Sequence, residues 1–202
     1  MKNELKYNVS RETIERLKVF EALVIKWTKK INLVSAGDVS QIWSRHIVDS
    51  MQVFHLAPSA GSWIDLGSGG GFPGLVAAIM AKEATPDRAF ALVDSDQRKC
   101  AFLRTVSREL DLSVDVRAER IESLPPAKAH VLSARALGDL GSLLYHVERH
   151  LAPAGIALFP KGVSWQKEHD EARKHWSYDL EAIMSETNPD ATILKIKELT
   201  RV

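Results

Sequence analysis

Apolar residues recur at three- and four-residue steps through the first part of the chain. Between Ser10 and Ile31 this spacing predicts one helix with a single buried stripe, and Ser10 can cap its start. A second apolar series between Asp38 and Pro58 predicts another helix. We expect the two helices to form an N-terminal helical cap over residues 1–57, ahead of one compact domain over residues 58–202.

From residue 62 onward, short apolar runs alternate with helical stretches, as in a parallel sheet covered by helices. The predicted parallel strands lie at residues 62–66, 89–93, 113–117, 131–134 and 156–159. Two further extended stretches, 178–183 and 191–199, flank the turn signal Asn188-Pro189-Asp190 and should pair antiparallel. The pattern therefore predicts a doubly wound α/β fold, mostly parallel, with one antiparallel hairpin.

The first strand runs into a glycine-rich turn that spans residues 65–74, with the sequence Asp-Leu-Gly-Ser-Gly-Gly-Gly-Phe-Pro-Gly. Gly67, Gly69 and Gly71 can adopt positive φ and let a ligand lie against bare backbone. A dinucleotide fingerprint would need glycine where Phe72 stands, and no Lys-Ser or Lys-Thr follows to make a phosphate-binding P-loop. A purely structural turn is the remaining alternative. The spacing Asp-x-Gly-x-Gly-x-Gly resembles the first motif of the class I S-adenosylmethionine-dependent methyltransferases.

Other polar residues fall where the later strands end, at the edge that binds ligands in this type of fold. Asp94 ends the second strand, and its carboxylate could accept both hydroxyls of a ribose, with Asp96 as the alternative. Ile121 and Glu122 follow the third strand and suit the apolar and polar sides of an adenine site. Arg135 and Lys161 follow the fourth and fifth strands, and we expect both to face the glycine turn.

Composition constrains the cellular compartment and the surface charge of the protein but not its chemistry. The 202 residues carry 27 Lys and Arg against 26 Asp and Glu, so any nucleic-acid surface must be local. Lys26, Lys29, Lys30 and Arg45 are the candidates for such a patch, although a solvated helix face explains them equally well. One cysteine, no hydrophobic signal core and no membrane-spanning stretch predict a cytoplasmic protein without membrane contact.

Several further motifs narrow the resemblance to one family. These are Asn32-Leu33-Val34-Ser35 after Trp27, Arg45-His46-Ile47-Val48-Asp49-Ser50, Gly71-Phe72-Pro73-Gly74, Ser133-Ala134-Arg135-Ala136 and Lys161-Gly162. Together they resemble the bacterial 16S rRNA methyltransferase G family, also called glucose-inhibited division protein B, over nearly the whole chain. The resemblance implies a class I methyltransferase (Rossmann-like) fold and S-adenosylmethionine as cofactor. It also implies methylation of guanine N7 at position 527, in the 530 loop of 16S rRNA.

Carried over residue by residue, the resemblance assigns most of the site. Cofactor contacts fall on Gly67, Phe72, Ile121, Glu122 and Arg135, to which the turn and the second strand add Asp65, Gly69, Gly71 and Asp94. Positions facing RNA or the target base are Arg45, His46, Arg98, Arg120 and Lys161, and no metal site is expected. On an ordinary helix, His46 and Asp49 would stand three residues apart and could instead form a stabilising pair.

The implied chemistry agrees with what the strand ends lack. The fourth strand carries neither the Asn/Asp-Pro-Pro-Tyr of amino-group methyltransferases nor a nucleophilic cysteine. Guanine N7 has a free lone pair, so Arg135 and Lys161 would position the substrate and no general base is needed. We expect a monomer that acts on 16S rRNA, within the 30S subunit or its precursor. The alternatives are a class I methyltransferase of small molecules or proteins, and a nucleotide-binding or RNA-binding module without turnover.

Overall fold

A computed structural model describes Tyr7 and residues 9–202 of the chain. Residues 1–6 and Asn8 of the expected helical cap lie outside the described residues. The N-terminal stretch for which we expect no hydrophobic signal core lies there too. The helices are α1 (Arg11–Thr28), α2 (Asp49–Leu56), α3 (Gly74–Ala84), α4 (Gln97–Glu109), α5 (Leu140–His150) and α6 (Trp165–Ala172). The strands are β1 (Trp63–Leu66), β2 (Phe90–Val93), β3 (Val114–Arg117), β4 (Ala129–Ala134), β5 (Leu151–Lys161), β6 (Trp176–Met184) and β7 (Thr192–Arg201).

All seven strands form one sheet in the order β3-β2-β1-β4-β5-β7-β6. The first five strands run parallel to one another, whereas β7 pairs antiparallel with both β5 and β6. The predicted doubly wound sheet with one antiparallel hairpin is confirmed. The order reverses at β1, which lies between β2 and β4, and parallel sheets of this kind bind ligands at such a switch point.

Two apolar clusters cover the sheet because successive strand residues point to opposite faces. Trp63 belongs to a cluster that includes residues of α1, α2, α3 and α4, while its neighbour Ile64 belongs to a second cluster with α5. Leu17, Phe20 and Val24 of α1 are fully buried in the first cluster, as the helical spacing predicts. Ser10 caps α1 by accepting a hydrogen bond from Thr13 N at 3.0 Å, which confirms the predicted start.

The second predicted helix is wrong in detail, because residues 36–56 form three consecutive segments. A 3₁₀ helix covers Ala36–Gln41, a π-helix covers Trp43–Val48, and only Asp49–Leu56 is α-helical. Short π segments often occur at functional sites, because their wider turn changes which side chains share a face. Here the π-helix carries Arg45 and His46.

Two other expectations need correction. Strand β5 begins at Leu151 rather than Ile156, with a register irregularity against β4 between Ala129 and Val131. Helix α6 lies in a stretch for which the apolar pattern predicted no element, because Ala172 is its one fully buried residue. Among the described residues, no helix is long and apolar enough to cross a membrane.

Candidate active site

The glycine turn is held from below by a buried carboxylate. Asp65 is inaccessible to solvent; its Oδ1 accepts a hydrogen bond from Ser133 Oγ at 2.6 Å and its Oδ2 accepts one from Gly74 N at 3.3 Å. Trp63 Nε1 donates to the same serine oxygen at 2.8 Å. Burial raises the pKa of Asp65 to about 6, against the lowering effect of these hydrogen bonds. The geometry therefore gives Asp65 a role in joining β1, β4 and the start of α3.

The turn itself has the backbone that the glycines predict. Gly67, Gly69 and Gly71 have φ of 66°, 50° and 90°, in the left-handed region that favours glycine. Asp94 at the end of β2 supports the turn from the side: its Oδ2 accepts from Gly69 N at 2.9 Å, and its Oδ1 accepts from Asp96 N at 2.8 Å. Asp96 in turn caps α4.

Three adjoining cavities open along this edge of the sheet. Cavity A, about 340 Å³, lies between the ends of β2, β3 and β4, and Gly67, Asp94, Ile121 and Glu122 help to line it. Cavity B, also about 340 Å³, lies on the other side of Gly67. Its lining includes Asp38, His46, Gly69, Phe72 and Arg135. Cavity C, about 270 Å³, includes Arg45, Asp49, Arg135, Lys161 and Asn188 in its lining.

The cavities share lining residues and so lie side by side as one crevice. Gly67, Lys99 and Ala136 line both cavities A and B, and Arg135 and Ala136 line both B and C. Arg135 follows the last residue of β4, which pairs with the last residue of β1, so it stands beside the glycine turn as predicted. The crevice thus runs from cavity A, beside the end of β2, to a basic pocket in cavity C.

Cavity B contains buried polar atoms that have no hydrogen-bond partner among the described residues. They are both ring nitrogens of His46 and Nη1 of Arg135. Arg135 Nη2 donates to the carbonyl of Arg45 at 3.0 Å. Buried polar groups are nearly always paired, so these atoms indicate a ligand with polar groups of its own.

His46 is held as a neutral imidazole. Burial lowers its pKa to about 4, and the nearby positive charge of Arg135 acts in the same direction. Its ring lies 5.0 Å from that of Phe72, and Nε2 is 3.8 Å from Asp38 Oδ2. The expected contact with Asp49 is wrong: on the π-helix, His46 faces the turn, while Asp49 accepts hydrogen bonds from Ser185 and Thr187.

Lys161 reaches the crevice from the end of β5 and is already paired. Its Nζ donates to Gly138 O at 2.6 Å and to Glu168 Oε2 at 2.7 Å. Glu168 is a residue of α6, and its Oε2 also accepts from Leu140 N at 2.9 Å. Lys161 therefore ties β5 to α6 and to the loop after β4.

The structure brings together most of the residues predicted for the site. Gly67, Gly69, Phe72, Asp94, Arg120, Ile121, Glu122, Arg135, Arg45, His46 and Lys161 all line one of the three cavities. Asp65, Gly71 and Arg98 do not. Asp65 and Gly71 are buried within the turn, and Arg98 is exposed and paired with Asp96 at 2.9 Å. A direct role of these three in binding stays a prediction.

Four charged residues that line the crevice were not predicted for the site, namely Asp38, Asp49, Lys99 and Glu119. Lys99, next to Arg98 in the first turn of α4, points inward between cavities A and B. Asp38 lies in the 3₁₀ helix and lines cavity B. Lys99 lies about one helical turn after Asp94, the acid that follows β2, and this spacing could have predicted its place in the site. Asp38 gave none, because its approach to the turn depends on the irregular course of residues 36–48.

Comparison with known proteins agrees with this geometry. The family model for rRNA small subunit methyltransferase G matches residues 13–191. A ribosomal RNA small subunit methyltransferase G from Ruegeria sp. (strain TM1040) is 54% identical over 201 residues, covering 100% of this chain and 98% of that protein. Its counterpart from Cereibacter sphaeroides (strain ATCC 17023) is 55% identical over 196 residues, covering 96% and 95%.

Solved structures share the fold at low sequence identity. A ribosomal protein L11 methylase from Lactobacillus delbrueckii subsp. bulgaricus aligns with a TM-score of 0.61 at 14% identity, covering 76% of this chain and 78% of that one. A TehB-like SAM-dependent methyltransferase from Corynebacterium glutamicum aligns with a TM-score of 0.59 at 11% identity, covering 90% and 99%. These likenesses show the class I methyltransferase fold.

Proposed function

Because this chain belongs to the rRNA small subunit methyltransferase G family, we propose that it methylates guanine N7 at position 527, in the 530 loop of 16S rRNA. The enzyme is S-adenosylmethionine-dependent, as its family is. The observation that supports the substrate best is the crevice formed by the three adjoining cavities. It passes from the glycine turn, past Arg135, into a basic pocket that includes Arg45 and Lys161 in its lining.

The residues present fit the cofactor. Gly67, Gly69 and Phe72 offer backbone and an aromatic edge to its amino-acid end, while Asp94 retains free acceptor capacity for the ribose hydroxyls. Ile121 and Glu122 suit the adenine, one apolar and buried, the other exposed and polar. When bound, the cofactor supplies a methyl group on a positively charged sulfur, which needs no further activation by the protein.

The protein's own contribution is alignment. The lone pair of guanine N7 is free at neutral pH, so proton removal is not required before attack. His46 has a pKa of about 4, so at neutral pH it is an uncharged imidazole and not a cationic proton donor. Its ring is one of the polar groups that line cavity B. Holding two reactants in near-attack geometry can contribute roughly 7–11 kcal/mol. We assign the placing of the base or its phosphate to Lys161 and to Arg135 where it borders cavity C.

The RNA would meet the protein at cavity C and its rim. Arg45 is 44% exposed at the side chain and Arg120 is exposed beside cavity A, so both can reach phosphates outside the crevice. An unpaired loop suits this site, because its bases can turn outward and stack on protein side chains. We further propose that the enzyme acts as a monomer on the 30S subunit or its precursor in the cytoplasm, where the rRNA is assembled.

The test is methyl transfer from labelled S-adenosylmethionine to 30S subunits and naked 16S rRNA prepared without the modification. We expect incorporation of one methyl group per 16S molecule, mapped to guanosine 527 by the strand cleavage that N7 methylation permits. Fully modified subunits serve as the matched control and should incorporate nothing. Labelling of protein or small metabolites, with rRNA unlabelled, would overturn the proposal in favour of another methyltransferase class.

A further inference from the structure

Cavity B contains one acidic side chain among the residues that line it, Asp38. Two basic residues, Lys99 and Arg135, line the same cavity. On the other side of Gly67, the acids of cavity A are Asp94, Glu119 and Glu122. The carboxylate of Asp38 is thus separated from the acids of cavity A by the glycine turn.

Asp38 is ionised and fixed in place. Ser35 Oγ donates to its Oδ2 at 2.6 Å, and Arg45 Nη1 donates to its Oδ1 at 2.8 Å. The serine hydrogen bond is the main cause that holds the pKa of Asp38 below its usual value. Its side chain is 22% exposed. A carboxylate offers about four acceptor sites, so both oxygens can accept a further bond from the cavity.

A buried donor without a partner stands in the same cavity. Arg135 Nη1 is buried and bonded to none of the described residues, while Nη2 is fixed on the carbonyl of Arg45. The guanidinium is therefore held in one orientation with a donor to spare. One fixed carboxylate and one fixed guanidinium in one small cavity complement a zwitterion, which carries an ammonium and a carboxylate group.

We propose that Asp38 binds the α-ammonium group of the amino-acid end of S-adenosylmethionine, and that Arg135 takes its α-carboxylate. This inference rests on the proposed function and deepens it: the amino-acid end occupies cavity B and the nucleoside end occupies cavity A. Asp38 belongs to the 3₁₀ helix at Ala36–Gln41, which precedes the sheet in sequence. This helix therefore forms part of the proposed cofactor site.

The same carboxylate connects the two substrates. Arg45 donates to Asp38 from the rim of cavity C, where RNA would bind, and its carbonyl accepts from Arg135. Asp38, Arg45 and Arg135 therefore form one linked set of contacts between cavities B and C.

Calorimetric titration with two ligands tests the proposal without RNA. S-adenosylhomocysteine carries the ammonium and carboxylate groups, whereas methylthioadenosine lacks the whole amino-acid end. We expect Asp38→Asn to weaken S-adenosylhomocysteine binding roughly 10- to 100-fold, the loss typical of a hydrogen bond to a charged group. Methylthioadenosine affinity should stay unchanged, which also shows that the variant is folded.

Two control variants test whether the loss comes from the Asp38 carboxylate itself. Asp87→Asn makes the same chemical change in an exposed turn at the opposite edge of the sheet, so neither affinity should change. Arg45→Gln removes one contact that fixes Asp38 but keeps the carboxylate, so it should weaken S-adenosylhomocysteine binding less than Asp38→Asn does. An equal loss in Arg45→Gln would overturn the proposal, as would a loss of both ligands, or of neither, in Asp38→Asn. Absence of binding to the unaltered protein would instead overturn the proposed function and this inference together.

Discussion

Asp65 shows how one buried carboxylate can serve a site that it does not line. Both of its oxygens are used inside the protein, on Ser133 and on the first residue of α3. Gly74 has no side chain because a Cβ there would stand 2.6 Å from Asp65 Oδ2 and 2.5 Å from a methyl carbon of Leu92. Asp65, the acid that precedes the glycines, therefore has a structural role: it supports the turn.

Replacement of Asp65 should change how stability depends on pH. The folded pKa is about 6 against an ordinary value of 3.8, so the folded state binds a proton more tightly than the unfolded state. The contribution of Asp65 to stability is therefore lost as pH rises from about 4 to 6, by an amount on the order of 3 kcal/mol. We expect the difference in unfolding free energy between the native protein and Asp65→Asn to shift in the mutant's favour over this range.

Urea denaturation at pH 4, 5, 6 and 7 measures this difference. Carboxyls with lowered pKa, such as Asp38 and Glu83, contribute the opposite slope but are common to both proteins and cancel. Parallel pH profiles for the two proteins would mean that the pKa of Asp65 is not raised in the folded state.

Lys161→Ala should lower methylation of 30S subunits much more than it lowers affinity for S-adenosylhomocysteine. Lys161 lines cavity C but neither A nor B. The change also removes the ion-pair partner of Glu168 at 2.7 Å, so we expect a stability loss of ~1–3 kcal/mol. Initial rates at varied 30S concentration, calorimetry and chemical denaturation measure the three effects.

Lys167→Ala is the matched control for Lys161→Ala, because Lys167 is an exposed lysine of α6. It should behave as the native protein does. If Lys161→Ala weakened S-adenosylhomocysteine binding and spared the rate on saturating cofactor, Lys161 would belong to the cofactor site.

At the scale of elements, the sequence predicted best where one physical effect dominates. Short apolar runs located β1, β2 and β3 to within a residue or two, and helical spacing located α1. Pro153 and Gly155 favour a turn, yet the chain continues as β5, whose register against β4 is irregular between Ala129 and Val131. Helix α6 escaped because seven of its eight residues are not buried, which leaves no apolar stripe to detect.

The residues of the site also divide into those that the sequence could place and those that it could not. Residues at the ends of β1, β2 and β4 could be placed together from the sequence, because parallel strands end at one edge. Asp38 and the inward direction of His46 could not, because they depend on a 3₁₀ helix followed directly by a π-helix. No local spacing rule predicts that succession.

We expect a methyl group added at Gly69 to leave the turn folded but to impair ligand binding. A Cβ there would meet nothing closer than Gly67 O at 3.7 Å, although φ is 50°. We expect Gly69→Ala to lose ~1–2 kcal/mol of stability from the backbone conformation. Affinity for S-adenosylhomocysteine should fall by roughly tenfold or more, because the methyl enters cavity B where the ligand approaches the backbone.

Gly37→Ala provides the comparison, since its Cβ would meet only Ser35 Oγ, at 4.0 Å. Calorimetry and denaturation on both variants test the contrast. Unchanged ligand affinity in Gly69→Ala would mean that the cofactor does not lie against this part of the turn.

At the scale of the whole molecule, the N-terminal helix and the sheet share one core. Phe20 of α1 is fully buried, with its ring 5.2 Å from Phe72 in the glycine turn and 6.5 Å from Phe102 of α4. Ion pairing adds a contact from the same helix to α3, Arg16 to Glu83 at 2.6 Å. The cofactor cavity is therefore lined by a residue whose ring is held by the helical cap.

Phe20→Ala should consequently destabilise the whole protein and not the helix alone. Loss of a buried phenylalanine costs ~3–5 kcal/mol, and we expect a single cooperative transition at lower denaturant concentration, with helix and sheet signals lost together. Because Phe72 loses a packing partner, S-adenosylhomocysteine affinity should fall as well. Val19→Ala, one position away and 42% exposed, should shift stability by less than ~0.5 kcal/mol. Two separate transitions in Phe20→Ala would show instead that residues 1–57 unfold as a unit of their own.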